Sequence, residues 1–295
     1  MDEIFQIGSF CFRLRCPQAI IPPPNFMLFQ IQEGQPEYTY DLEMGEGFPV
    51  PVGDCVARKM DLEVFRQGER ESRLLGIKGT EGFYGFYEED GEAHARILVN
   101  PQRLSGLSID PVFTSLLALE RRLAFKDAMV LHCAYLDLSG EALLFSAPSG
   151  TGKTTQANLW KQYQNCETVN GDRALLARVN GSWQAQGWPV CGTSEICCNR
   201  SLPVRAVVML SQGMENQIER LSPAGAFSQL YSQITVNKWN RQQHLHVMDL
   251  LESLVSQVPV FHLSCTISHE AVTCLEAALN DLFQTADMWD NSSVQ

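Results

Sequence analysis

Ser146-Ala147-Pro148-Ser149-Gly150-Thr151-Gly152-Lys153-Thr154-Thr155 is the stretch on which the reading of this chain turns. It fits the phosphate-loop pattern G-x-x-x-x-G-K-[ST] except at the first position, where Ala147 stands for glycine. A triphosphate needs several donors converging on its β and γ oxygens. Small residues let backbone N–H groups curl into a nest around such an anion. The loop also opens a helix, whose N-terminus favours negative charge. Ser149, Gly150, Thr151, Gly152, Lys153, Thr154 and Thr155 are therefore the expected nucleotide-binding residues. Lys153 is expected to neutralise the β and γ oxygens, and the Thr154 hydroxyl to ligate Mg²⁺. ATP and Mg²⁺ are the cofactors this implies. The competing reading is a glycine-rich turn, or a decayed site, that precedes Lys-Thr.

The flanks supply the context such a loop requires. Glu141 to Ser146 is a buried-type strand, and Lys153 to Tyr163 has helix-forming character. Upstream, Ala128 to Asp137 is a mostly apolar stretch around His132, with a turn at Ser139-Gly140. Asp137 reads as a turn residue. Asp110-Pro111 starts a helix with Asp as N-cap, and Val112, Phe113, Leu116, Leu117 and Leu123 form its apolar stripe. Arg121 and Arg122 read as its solvated end. Later helices start at Ser222-Pro223, run through Met248 to Val255, and start again at Ser268 with Val272, Leu275, Leu279 and Leu282 inward. Strands are expected at Ala206 to Leu210 and Val258 to Cys265.

Residues 5 to 100 read differently. Phe5 to Arg15, Phe26 to Gln32, Tyr38 to Glu43, Arg73 to Lys78 and Ala95 to Val99 are short strands between Gly and Pro clusters. Phe83 to Tyr87, followed by Glu88-Glu89-Asp90-Gly91, enters a hairpin. The fold expected is α/β of mixed α+β type. A β-rich unit over 1–105 precedes a nucleotide-binding domain over 106–285, and 286–295 forms a tail.

His132-Cys133-Ala134-Tyr135-Leu136-Asp137, Gly140, Leu144-Phe145-Ser146 and the loop resemble the catalytic domain of HPr kinase/phosphorylase, which carries a His-led strand just before its phosphate loop. That domain has the nucleotide fold of phosphoenolpyruvate carboxykinase. Val169-Asn170-Gly171-Asp172-Arg173 is similar to the family's acidic strand segment. Gly187-Trp188-Pro189-Val190-Cys191-Gly192-Thr193-Ser194-Glu195, Pro203 to Gln212 and Phe261 to Cys265 resemble kinase-like relatives encoded beside modified-peptide gene clusters. The resemblance covers about residues 110 to 283 and does not extend to residues 1 to 100.

The resemblance implies catalytic roles for Asp172, His132 and Lys153, and metal ligation by Thr154 and Asp172. His132 would sit near the γ-phosphate and orient Asp172. The family's first aspartate, its general base, is replaced here by Gly171. Three readings follow: transfer without that base, Asp172 as base with waters filling the metal shell, or nucleotide binding without transfer. Glu195 reads as a surface carboxylate or a contact to metal or acceptor, Arg173 as facing phosphates or as a salt-bridged strand arginine, and Arg200 and Arg205 are weaker candidates for an arginine that stabilises the transferring phosphate. Trp188 and Trp239 are aromatics expected to pack, and His244 and His246 are expected to be exposed.

The chain has 295 residues, 22 Lys plus Arg against 34 Asp plus Glu, and a net charge of -12. That balance argues against a general nucleic-acid binder or a polybasic membrane reader. Without a signal peptide or spanning segment the expected location is cytoplasmic, and the ten scattered cysteines read as thiols. The leading functional reading is an ATP- and Mg²⁺-dependent kinase acting on a hydroxyl, such as Ser or Thr of a peptide or small protein. The alternatives are a nucleotide-binding scaffold and an accessory protein whose strands around Phe26 to Glu43 pair with a peptide. A homo-oligomer stays open.

Overall fold

The computed structural model describes the backbone of residues 1–292 and the side chains of residues 1–281. Two mixed sheets and the helices around the second make the architecture mixed α/β.

Period-two alternation builds the first sheet. In Phe10-Cys11-Phe12-Arg13-Leu14-Arg15, Phe10, Phe12 and Leu14 are buried and the residues between them face outward. Its nine strands are β1 (Asp2–Ile7), β2 (Phe10–Arg15), β3 (Gln30–Ile31), β4 (Tyr38–Met44), β5 (Asp54–Lys59), β6 (Leu62–Gln67), β7 (Arg70–Gly76), β8 (Phe83–Glu89) and β9 (His94–Val99). They lie in the order β3-β1-β2-β4-β9-β8-β7-β6-β5. β4 runs parallel to both β2 and β9, so it is interior and both its edges are taken. Within Phe26 to Glu43, β4 therefore offers no free edge, while the two-residue β3 is one end of the sheet and pairs only with β1. The long free edge belongs to β5. The Phe26 strand is partly a helical turn, α1 (Pro24–Met27), because Pro24 fits its first position.

Pro101–Ser108 forms a 3-10 stretch. The helix expected from Asp110 is two short ones, α2 (Asp110–Leu116) and α3 (Leu119–Ala124), broken at Ala118, which is left-handed at φ 46. Phe113, Leu116, Leu119 and Leu123 still share the core of the first sheet. Arg121 is not solvated, as expected, but 3% exposed. Arg121 and Arg122 both pair with Glu89 of β8.

The second unit carries β10 (Ala128–Leu138), β11 (Glu141–Ser146), α4 (Lys153–Gln164), β12 (Glu167–Asn170), β13 (Arg173–Val179), β14 (Ser182–Gln186), β15 (Ser201–Gln212), β16 (Gln217–Arg220), α5 (Pro223–Tyr231), α6 (Arg241–Gln257), β17 (Val260–Cys265) and α7 (His269–Ser292). α7 continues past residue 285, and the Leu282 side chain lies outside the described residues. β15 is parallel to β11 and β17. The pairings β11–β10–β13–β14–β15–β11 close a ring.

β11 is apolar from Ala142 to Phe145 because both its faces are covered. Leu143 and Phe145 pack with Trp160 of α4 and Leu275 of α7. Leu144 packs with Leu250 and Leu254 of α6. The core of the first sheet continues into Val130 of β10, Leu175 of β13, Trp188 and Val190. Among the described residues no helix is long and apolar enough to cross a membrane.

Candidate functional site

β11 delivers the chain at Ser146 into a loop over 147–152, and α4 begins at Lys153. Gly150 and Gly152 have φ of 81 and 122. A Cβ at either would touch nothing, so backbone conformation and not space calls for glycine there. Lys153 is buried, and its Nζ reaches back over its own loop to donate to the carbonyls of Ala147 (3.0 Å) and Pro148 (3.4 Å). Burial lowers its pKa, and the nearby charge of Asp172 opposes that shift. Ser149 and Thr154 are exposed, and Thr151 and Thr155 half-buried. Gln156, one turn into α4, ties the helix to the end of β17 through Cys265 Sγ (3.1 Å). Ala147, where the pattern has glycine, is fully buried in the core beneath.

His132, Asp172 and Arg173 come together beside this loop. Cys133 N donates to Asp172 O at 2.9 Å, and Ser146 Oγ donates to His132 O at 2.8 Å, joining the site to the loop. His132 Nε2 lies 3.4 Å from Asp172 Oδ1, and its Nδ1 lies 3.2 Å from Gln233 Oε1. Arg173 Nε donates to Asp172 Oδ2 at 3.1 Å. Burial pushes the Asp172 carboxyl up, but the contact with His132 and the Arg173 charge outweigh it and hold its pKa below the ordinary value.

Gly171 and Asp172 were expected on a strand but form the turn between β12 and β13. Asn170 makes that turn. Its Oδ1 accepts from Asp172 N and Arg173 N, both at 2.9 Å. Its Nδ2 donates to Trp188 O (2.8 Å) and Val190 O (3.2 Å). One buried amide thus aims Asp172 and pins the loop after β14. The local signal for the turn is the Asn170-Gly171 pair, a turn signature.

The remaining candidates separate from this centre. Arg200 pairs with Asp137 and Glu167, and Arg205 with Glu141. Asp137 and Glu141 flank the turn at the far ends of β10 and β11 from Ser146. Asp137 does cap that turn, accepting from Gly140 N at 2.8 Å. Glu195 is exposed. His244 and His246 are half-buried rather than exposed, because each has a partner: Tyr231 OH at 2.9 Å and Asp127 at 3.0 Å. Trp188 packs in the first core, and Trp239 donates to Glu71.

Among the described residues no cluster of three or more His, Cys, Asp or Glu side chains could hold a metal ion alone. Mg²⁺ commonly takes one or two carboxylates and completes its shell with phosphate oxygens and water. The donor set of Asp172 and Thr154 fits that mode and no closed protein cage.

Residues 100–280 match the family described as SynChlorMet cassette protein ScmC. The chain belongs to the ScmC family. No curated protein matches this ScmC-family chain. Among solved structures, the Hpr(Ser) kinase/phosphatase from Coxiella burnetii is similar at 11% identity and a TM-score of 0.34. The match covers 56% of this chain and 96% of that one. A TM-score of that size supports no transfer of function.

Proposed function

We propose that this ScmC-family chain is an ATP- and Mg²⁺-dependent phosphotransferase that moves the γ-phosphate onto a hydroxyl, with Ser or Thr of a peptide or small protein as the acceptor class. The observation that carries the reading is the convergence of a buried Lys153 and an ionised Asp172 at a glycine loop opening α4. Bound Mg²⁺ supplies charge neutralisation at the phosphates. Lys153 exchanges its two carbonyl partners for phosphate oxygens, and the loop N–H groups and the α4 N-terminus hold the anion. Asp172 orients the acceptor hydroxyl and accepts its proton as the new O–P bond forms and ADP leaves. His132 and Arg173 fix its two oxygens. Such transfer depends mainly on positioning and charge, so one carboxylate can suffice.

A second reading is a nucleotide-binding scaffold, favoured by the absence of a carboxylate at Gly171. Calorimetric titration of Mg-ATP on the wild type and Lys153→Ala, followed by an acceptor-dependent ADP assay, separates the two. Loss of charge-assisted bonds worth about 1.5–3 kcal/mol should weaken binding roughly 10- to 100-fold in the variant. No Mg-ATP binding by the wild type rules out both readings, and binding without transfer to any peptide, protein or small-molecule pool leaves the scaffold.

A further inference from the structure

A cavity of about 510 Å³ lies between the first sheet and the second unit. That is the range of pockets holding a small molecule or a short stretch of chain. It adjoins the site just described, because Arg173 lines it and bonds Asp172. Two of its lining residues, Thr114 and Trp188, are 7% and 4% exposed, and neither Thr114 Oγ1 nor Trp188 Nε1 has a hydrogen-bond partner. Buried polar atoms are rarely left unpaired without a ligand or water to meet them.

The cavity is also cationic in an acidic chain. Lys59, Arg73, Lys78 and Arg173 face two carboxylates, Asp61 and Glu120. Arg73 is shared by Glu120 and Glu71, each at 2.6 Å, and Arg173 is held by Asp172, so the lining charges left over are Lys59 and Lys78 against Asp61. Lys59 and Lys78 have no carboxylate partner among the described residues, and Lys59 Nζ stands 5.8 Å from the centroid of the Trp239 ring.

Lys59 is the last residue of β5, the free edge of the first sheet. Along and beside that strand Val50, Val52, Val56 and Met60 expose apolar side chains. An open edge offers unpaired backbone groups to an extended chain, and side-chain pockets then select its sequence.

We propose that β5 and this cavity together form the acceptor site, taking an extended peptide with acidic and apolar residues. Its backbone pairs with β5, its acidic side chains meet Lys59 and Lys78, and its Ser or Thr enters past Arg173 to Asp172. The assignment of the hydroxyl rests on the phosphotransferase reading. The peptide contact does not.

The test passes a library of ten-residue peptides, with a fixed central Ser and randomised flanks, over the immobilised full-length protein with Mg-ADP. Retained peptides should be enriched at least several-fold in Asp or Glu and in alternating apolar residues. Lys59→Glu/Lys78→Glu should turn the acidic preference toward Lys and Arg. Both positions are exposed, and retained Mg-ATP binding verifies the fold of the variant. Enriched peptides resynthesised with alternate backbone amides N-methylated should lose retention about tenfold, the factor equivalent to about 1.4 kcal/mol. No enrichment, unchanged preference in the double variant, or indifference to N-methylation overturns the proposal. Mg-ATP binding without enrichment defeats the peptide site alone. Enrichment without Mg-ATP binding defeats the phosphotransferase reading alone.

Discussion

Ser194 fills the space that a side chain on Gly171 would need. A Cβ at position 171 would lie 2.0 Å from Ser194 Oγ and 2.3 Å from Ser194 Cβ. Ser194 cannot simply rotate away at no cost, because its hydroxyl donates to Cys191 O at 2.7 Å and accepts from Ile196 N at 3.3 Å. The glycine is therefore part of how the 191–196 loop closes over the Asp172 turn. Its presence is a matter of packing as well as of a missing carboxylate.

Gly171→Asp alone is accordingly expected to destabilise the protein, by about 1–3 kcal/mol for a small-to-large change in a packed site. It should gain no transfer activity. Gly171→Asp/Ser194→Gly should recover much of that loss, because the clashing atoms are gone. Thermal melts and acceptor-dependent ADP formation on both variants decide the matter. A single variant as stable as the wild type sinks the account.

Asn170 is the second lever. It is fully buried and makes four hydrogen bonds. At roughly 1 kcal/mol net for each, Asn170→Ala should cost about 2–4 kcal/mol. Transfer should fall further than stability does, because Asp172 loses the turn that aims it. Mg-ATP affinity should stay within about threefold, since the loop and Lys153 are untouched and that factor is only about 0.6 kcal/mol. An Asn170→Ala protein that melts with the wild type would show that the clamp carries no weight.

Asp172→Asn should lower turnover by about 10²- to 10⁴-fold, the usual worth of a positioned acid or base. The pH profile gives an independent check. The Asp172 pKa is held below its ordinary 3.8. The carboxylate therefore stays ionised at every higher pH and contributes no acid limb between about pH 5 and 8. A wild-type limb centred above about pH 5 that moves in Asp172→Glu contradicts this assignment.

What was legible in the sequence follows where local chemistry and tertiary need coincide. Glu141 to Ser146, the loop and Lys153 to Tyr163 were read almost to the residue, because a two-sided buried strand and a helix-opening glycine loop have local signatures. β5 and β6 were not read at all. An edge strand with both faces near solvent, like β5, has no alternation to read. The break at Ala118 has no glycine to announce it. Burial around it enforces the left-handed conformation. Arg121 and Arg122 looked solvated because their partners, Glu71 and Glu89, come from strands about 30 to 50 residues earlier. His132 and Asp172 were named from a resemblance, and their 3.4 Å approach comes from pairing that sequence spacing does not reveal. The clamping role of Asn170 has no local signature, because it depends on a loop 18 residues away.

The ion cluster around Glu89 should dominate the acid stability of the protein. Glu89 accepts from Arg121 Nε at 2.6 Å, from Tyr87 OH at 3.0 Å, from Glu71 N at 2.9 Å and from Arg122. Burial raises its pKa, but these donors and charges outweigh it and hold it below the ordinary 4.5. Glu120, bonded to Arg73, is shifted the same way. A carboxylate with a depressed folded-state pKa stabilises the fold fully above its unfolded value and loses that contribution as pH falls through the folded one. Stability should therefore hold through neutral pH and decline below about pH 4.5, the ordinary Glu value. Glu89→Gln keeps one acceptor oxygen but removes the carboxylate charge that faces buried Arg121 and Arg122, a change that costs up to about 3–5 kcal/mol at pH 7. The gap between variant and wild type should narrow as the pH drops into the acid range, because protonation removes the same charge from the wild type. Urea unfolding of both proteins from pH 3 to 8, roughly the span over which such carboxylates titrate, measures it. A gap that stays constant across that range would mean the cluster contributes through shape and not through charge.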